Sequence, residues 1–477
     1  MAAASTSWSG LVHGGRLAPT AILALSVGLY VVDAFMLAAV LPSVVADIGG
    51  AAFYTWAAML YTVSATLGTA CGGLLAGTLG LRRAALLGIA LTLCGNVGAA
   101  IAPTMIALLG ARTMQGMGGG VLIAQAYGVA RAFYPDALRP RVLALISTAH
   151  GVAALVGPIV GGSFAAMGWW RGAFWSAIPV LLLLAILVSA VLPERETEHA
   201  AVRLPFFRLT FLGAAVLCVA TSGQVQSVSL RLLAVAVGIL LVERALHIDE
   251  RAEARLFPAR PLSVGHAVGT ALWIVLLFNI TTGHTGVFVP LVVQVLHGVS
   301  PHFAGYFQAT LSVSWTALAV VSAGFGEAAV RRAIFIGPLM IVTGVAGQAF
   351  LVVDGPLALL AFSVALTGAG MGLSFAHITN WTISSARDDE AKVTASAIPT
   401  MQSLGRGFGA ATAGLVANAA GLGAGVSPET VAAAAAWVYA VAVIAPTAIA
   451  VLSVRLLRLH SPEAIRRTRD ATPGARG

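Results

Sequence analysis

What most constrains this chain is a series of apolar stretches, each about as long as a bilayer's hydrocarbon core requires, following one another almost without pause. A helix rising 1.5 Å per residue needs ~20 residues to cross that core. Read between charged and Gly/Pro breaks, such stretches fall near 17–41, 53–76, 84–102, 105–130, 142–166, 172–192, 209–227, 230–247, 264–292, 303–325, 333–353, 356–384, 393–419 and 430–455. Fourteen spans in 477 residues leave no room for a large soluble domain. The composition agrees, being 58% hydrophobic and 9% charged, where soluble domains are roughly a quarter charged. The first stretch is too long for the core of a cleaved signal peptide and reads as a retained span. Cys71, Cys94 and Cys218 lie inside apolar stretches, which predicts buried thiols and no disulfide framework.

The net charge of +9 would suit a nucleic-acid binder if it formed a surface patch, but it is spread over connections. Arg16, then Arg82 and Arg83, then Arg131, Arg139 and Arg141, then Arg195, Arg203 and Arg208 occupy alternate connections. Arg244, Arg251, Arg255 and Arg260 continue on that side, with Arg331 and Arg332, Arg387 and Lys392, and the tail from Arg455 to Arg476. The opposite side holds only Arg171 and Arg231. Cytoplasmic loops of membrane proteins carry the Lys/Arg excess. This predicts a multi-pass protein of the cell (inner) membrane with both termini cytoplasmic, and no nucleic-acid partner.

The longest internal connections, 193–210 and 243–264, bracket the stretches at 209–227 and 230–247, with six spans before and six after. The expected fold is an all-α polytopic membrane protein of two six-helix bundles plus an inserted two-helix hairpin. Its parts are a cytoplasmic tail over 1–16, a bundle over 17–193, a linker with two extra helices over 194–263, a second bundle over 264–455 and a basic tail over 456–477. Transporters are often built from such pseudo-repeats. A monomer is expected.

Loop topology leaves three charges unexplained, Asp33, Arg112 and Arg406, all inside spans. A guanidinium keeps its proton in proteins, and in hydrocarbon it needs a partner or a water-filled cavity. Asp33 lies eight residues before Leu41 on an outward-running span, and Arg112 seven after Met105 on an inward-running one. Both are then roughly 10 to 12 Å below the outer surface. Level charges offset each other's burial, so the two are expected to pair, either as a fixed ion pair or as a proton-coupling site. In the second case the hold of Asp33 on a proton depends on where Arg112 lies. Gln115, at i+3 from Arg112, shares its helix face and is a candidate to line the substrate cavity or to orient Arg112, and Gly116, Gly118, Gly119 and Gly120 permit close helix approach.

Further polar residues inside spans are candidates for lining a substrate cavity. Asn279 and His284 stand in FNITTGHTG, whose threonines and glycines predict local unwinding, a common mark of transporter sites. His377, Asn380 and Trp381 form a second patch, and Arg406 stands among glycines in MQSLGRGFGAATAG. No residues have zinc-ligand spacing, and no loop offers a nucleophile with its base. The sole lysine, Lys392, follows Ala391, which excludes a phosphate-binding G-x-x-x-x-G-K-[ST] loop. An enzyme or ATP-driven pump is not expected.

The fifth span contains GVAALVGPIVGG, in which Pro158 removes a helical hydrogen bond while Gly157, Gly161 and Gly162 thin one face. Here the chain resembles the major facilitator superfamily, and within it the fourteen-span drug:proton antiporters, whose fifth span carries G-P-x-x-G-G. Asp33 with Leu41 and Pro42 resembles that branch's first-span D…LP. Arg112, Gln115 and Gly116 match its R-x-x-Q-G, Trp170, Arg171, Phe174 and Pro179 match its W-R-x-x-F…P, and SAIPTMQSLGRGFGAATAGLVAN is similar to its thirteenth span.

The resemblance implies the major facilitator fold and proton-coupled efflux by alternating access. The cargo would be hydrophobic or cationic small molecules, with Asp33 and Arg112 coupling protons and no cofactor beyond the proton gradient. Scarcity of acids in the expected cavity favours an alternative, export of lipids or lipid-like metabolites. The family's loop G-x-L-x-D-R-x-G-R-R reads GLLAGTLGLRR here. Gly73, Gly80, Arg82 and Arg83 match, while Gly77 replaces the acid that helps latch one conformer in the family.

Overall fold

The computed structural model describes residues 11–135, 138–194, 206–225, 227–252, 255–322, 324–386 and 390–459. Arg195, Arg203 and Arg387, the first ten residues and the tail from 460 onward lie outside the described residues, as does the side chain of Lys392. Among the described residues there is no strand. The α-helices are α1 Leu17–Ile48, α2 Trp56–Leu79, α3 Leu81–Ala100, α4 Met105–Phe133, α5 Arg139–Ala166, α6 Arg171–Val191, α7 Phe206–Ser222 and α8 Val228–Glu250. They continue with α9 Ala267–Val295, α10 Pro301–Ser322, α11 Glu327–Leu351, α12 Leu357–Ser384, α13 Ala391–Ala419, α14 Pro428–Ala442 and α15 Ile444–Leu459. The last apolar stretch is divided at Val443 because Pro446 has no N–H to give the carbonyl of Ala442, where α14 ends.

By length and composition, seven of the described helical segments could cross a membrane: α1, α3, α6, α9, α11, α12 through Thr382, and the α14–α15 segment. Helix α4 falls outside that set because glycines, Arg112 and Gln115 lower its hydropathy. They are tolerated because much of the helix faces other helices. Helix α6 shows the reverse pattern, with Leu182, Leu183 and Ile186 exposed. The same reasoning corrects the expectation for the thiols: Cys94 is exposed and Cys71 and Cys218 are only partly buried. An apolar stretch facing lipid leaves its small residues on the surface.

Helix α4 packs against α2 and α3, and α1 against α5; later in the chain α9 packs against α13, and α12 against α10 and α11. The two sets meet where α5 lies on α10 and α2 on α13. At one end they share a single core, which joins Met36–Val45 of α1, Leu108 of α4, Val287–Val293 of α9, Ala410–Ala417 of α13 and Val438 of α14. Toward the other end the cores are separate. One lies among α1, α4 and α6, a second among α9, α11, α12 and α15, and a third among α7, α8, α9 and α13. The sets are therefore cemented where α1 ends and divided where it begins.

Helix α7 packs against α8 and α13. Arg208, expected in a loop, lies in α7 and donates from Nη1 to buried Asp249 of α8. Asp249 also accepts the backbone N–H of Leu256 at 2.8 Å and of Phe257 at 2.9 Å. This second buried pair corrects the count of span charges; α7 starts earlier than its apolar stretch, because a paired arginine is tolerated within a helix.

Candidate functional site

Arg112 is fully buried and Asp33 is 6% exposed, so neither charge relies on water. Arg112 Nη1 donates to Asp33 Oδ2 at 2.8 Å and to Gln115 Oε1 at 2.7 Å, and Nε donates to Ala57 O at 3.4 Å. Gln115 Nε2 reaches Asp33 Oδ1 at 3.4 Å. The guanidinium carbon lies 4.2 Å from the centroid of the Tyr61 ring, a cation–π distance, and Tyr61 OH is tied to Tyr30 O at 2.8 Å. Asp33 is the one carboxylate pairing with Arg112 among the described residues. Glycines make the approach possible. A Cβ on Gly116 would strike Ser64 Oγ and Tyr61 O of α2, one on Gly120 would strike Ala65 O, and one on Gly118 would meet Thr92 and Gly88 of α3.

The α5 motif has a definite mechanical use. A Cβ on Gly157 would lie 2.7 Å from Phe35 Cβ and 2.9 Å from Val32 O, and one on Gly161 would lie 2.5 Å from Met36 O. These glycines seat α5 on the segment of α1 that carries Asp33. Gly162 is buried beside them. Pro158 presses on Gly305 of α10, where a Cβ would collide with the proline ring. The motif thus links the helix bearing Asp33 to the other helix set. Gly157→Val is expected to destabilise the protein by about 1 to 3 kcal/mol through overpacking, read as a lowered Tm of the detergent-solubilised protein; an unchanged Tm would remove this packing role.

Between the sets, α1, α2, α9 and α13 line a cavity of about 160 Å³. Its lining includes Phe35, Leu37 and Leu41 of α1, Thr62 of α2, Thr282 of α9 and Arg406 of α13. Arg406 Nη1 donates to Asn279 Oδ1 at 3.2 Å, and His284 Nε2 shares a 3.0 Å hydrogen bond with Thr412 Oγ1. Asn279, His284 and Arg406 are therefore neighbours across the α9–α13 contact, of which Arg406 reaches the cavity. Asp33 is absent from this lining. It lies on an apolar crevice of about 440 Å³ between α1, α5 and α6, with Val32, Met36 and Val152.

One expectation for the cavity is corrected, and one group of candidates lies apart from it. Helix α9 is continuous through FNITTGHTG, because its polar side chains bond carbonyls of their own helix: Asn279 to Val275 at 2.9 Å, Thr281 to Leu277 at 3.0 Å and Thr282 to Asn279 at 2.9 Å. The first of its two glycines serves packing, since a Cβ on Gly283 would lie 2.9 Å from Arg406 O. Secondly, His377, Asn380 and Trp381 are not among the residues lining the cavity. His377 stacks on Phe325 with centroids 6.3 Å apart, Arg331 lies 5.9 Å from the Trp381 ring, and Asn380 is exposed. Residue spacing sets height along α12 but not the direction a side chain faces.

At the loop motif, Gly80 joins α2 to α3 with φ +85°, a conformation that suits glycine. Gly73 lies in α2 and Arg83 is exposed. Arg82 Nη1 pairs with Glu194 Oε1 at 2.9 Å, so an acid after α6 meets this arginine where the loop itself has Gly77. Sequence reading missed Asp47, which accepts Arg171 Nη1 at 2.5 Å and Trp170 Nε1 at 3.2 Å. The Trp-Arg pair ties α6 to the end of α1. The signal was available in one acid and one arginine on the same sparsely charged face.

A helical bundle of this composition, with a buried ion pair beside a cavity between two helix sets, defines a polytopic membrane transporter. The chain belongs to the Major Facilitator Superfamily, whose profile matches residues 23–410. A Mycobacterium tuberculosis protein named "Probable multidrug-efflux transporter" is 33% identical over 433 residues, covering 87% of this chain and 90% of that one. The "Tetracenomycin C resistance and export protein" of Streptomyces glaucescens is 24% identical over 428 residues, covering 87% and 78%. Among solved structures, a peptide transporter POT in complex with sulfate gives a TM-score of 0.66 at 16% identity over 93% of this chain and 95% of that one. The xylose transporter XylE from E. coli gives 0.58 at 16% identity, covering 93% and 99%. These two support the fold.

Proposed function

We propose that this chain exports apolar small molecules from the cytoplasm in exchange for protons, by alternating access. The observation that carries the reading is the buried Asp33–Arg112–Gln115 cluster, seated through α5 on the opposing helix set. A carboxyl that must be either paired or protonated in a low-dielectric site changes what α1 can pack against when its proton comes or goes. Gly157 and Gly161 hand that change to α5, and Pro158 hands it to α10. The proton gradient is the energy source and no cofactor takes part.

In this reading the chain crosses the inner membrane fourteen times, with both termini cytoplasmic. Residues 17–193 and 264–455 form six-helix bundles, and α7 and α8 form an inserted hairpin. The shared core then lies at the outer face, so the protein is in a state closed outward and divided inward. The protomer works alone. Efflux names on relatives of comparable length support the direction of transport.

The test is a panel of apolar dyes and drugs in energised everted vesicles. Addition of a substrate is expected to release protons from the vesicle lumen, with uncoupler abolishing accumulation. Accumulation that survives full collapse of the proton gradient would overturn the proposal. A second reading, export of lipids or lipid-like metabolites, draws on an apolar groove between α7, α8, α9 and α13 lined by Leu212, Val219, Ile239, Trp273 and Leu404. A lipid-extraction assay run beside the panel separates the two.

A further inference from the structure

Among the described residues, the lining of the cavity between α1, α2, α9 and α13 holds one charged side chain, and that side chain is a cation. Thr62 and Thr282 are its other polar side chains; the rest of the lining is apolar or glycine. Asp33, the acid best suited to a cationic cargo, bonds Arg112 and Gln115 and opens instead on the crevice toward α5 and α6. Its charge is matched by Arg112 at 2.8 Å.

Arg406 is held for use by the cavity. Asn279, 3% exposed, is fixed by the hydrogen bond its Nδ2 donates to Val275 O and accepts one Arg406 N–H. Gly405 permits the close contact, since a Cβ there would lie 2.6 Å from Asn279 Cβ. No carboxylate pairs with Arg406 among the described residues. A guanidinium oriented on one side and uncompensated on the other offers a planar fork of donors suited to carboxylate, sulfonate or phosphate ester. In an apolar enclosure it also repels a cationic cargo.

We propose that Arg406 is the recognition residue of the transport cavity, and that the cavity takes an apolar molecule bearing one anionic group. This rests on the exporter reading and names its substrate class. The anionic group belongs either to a small molecule or to a lipid headgroup.

The experiment uses the full chain in phosphatidylcholine nanodiscs and three ligands with one apolar body: 2-naphthoate, naphthalene-2-sulfonate and 2-naphthyltrimethylammonium. Calorimetry is expected to show the two anions binding the wild type at least about tenfold more tightly than the cation, as for hydrogen bonds to a charged group. R406Q should bring the three within about threefold, and R406K should retain most of the preference. Loss of naphthoate binding when phosphatidylglycerol replaces phosphatidylcholine, in the wild type but not in R406Q, would assign the anion to a lipid headgroup; unaffected binding would assign it to a small molecule. Equal or tighter binding of the cation by the wild type would overturn the proposal whether or not R406Q folds, as would an unchanged anion preference in R406Q. Transport separates this from the parent reading. Proton-linked efflux that favours the naphthyl cation would keep the exporter and remove the anion site. Anion binding by Arg406 without proton-linked efflux of any ligand would do the reverse.

Discussion

Replacing Asp33 with asparagine is expected to abolish uphill, proton-driven efflux while leaving a folded protein in the membrane. Asparagine keeps an oxygen where Asp33 Oδ2 accepts Arg112 Nη1 at 2.8 Å, so the local geometry persists. What is removed is the exchangeable proton. The Arg112 charge is left without its anion, yet it retains Gln115 Oε1, Ala57 O and the face of Tyr61. That arrangement, charged Arg112 beside a neutral residue 33, is also a state the proposed cycle visits whenever Asp33 is protonated, and it must therefore be a folded one. Downhill movement of substrate is expected to continue. The measurement is substrate accumulation in energised everted vesicles beside surface expression and size-exclusion behaviour. Undiminished transport against a gradient in D33N would sink the assignment of Asp33 to proton coupling.

Arg112→Met should have the opposite profile, with folding as the casualty. Methionine fills the volume but leaves Asp33, 6% exposed, without a cation, and removing one member of a buried ion pair typically costs about 3 to 5 kcal/mol. Replacing both members by apolar residues is often neutral, so the double variant D33L/R112M is expected to recover most of the lost stability while remaining inactive in proton-driven efflux. Thermal unfolding of the wild type, both single variants and the double in one detergent gives the full cycle. A double variant as unstable as R112M alone would mean that the deficit comes from packing around Tyr61 and Ala57 and owes little to the stranded carboxylate.

The shared depth of Asp33 and Arg112, which makes their pairing an expectation, is legible in the sequence because depth needs only height. Both residues stand on long helices, the helical rise is constant, and alternating topology turns residue counts into depths. Arg406 and Asn279 illustrate what height leaves out. Their contact depends on which way each helix is turned and on how closely Gly405 and Gly283 let α9 and α13 approach. The surroundings of His377, Asn380 and Trp381 depend on rotation in the same way, since these residues engage Phe325 and Arg331 or face outward. The expected unwinding of α9 misjudged a competition. Asparagine and threonine can break a helix by offering the backbone other bonds, but in an environment without water the same side chains satisfy carbonyls of their own turn.

By itself the sequence determined that this chain is helical and membrane-embedded, roughly where each helix lies, three of its exceptional charges and which family it resembles. Those properties are local or additive along the chain: apolar length, charge placement and motif spacing. Only the tertiary structure decided that Asp33 turns away from the cavity while Arg406 turns into it, that α5 couples α1 to α10 through Gly157, Pro158 and Gly161, and that the two helix sets share a core at one end alone. Each of these depends on rotation about helix axes and on distances of closest approach. Both are set by many side chains packing at once, and neither is encoded in any single stretch.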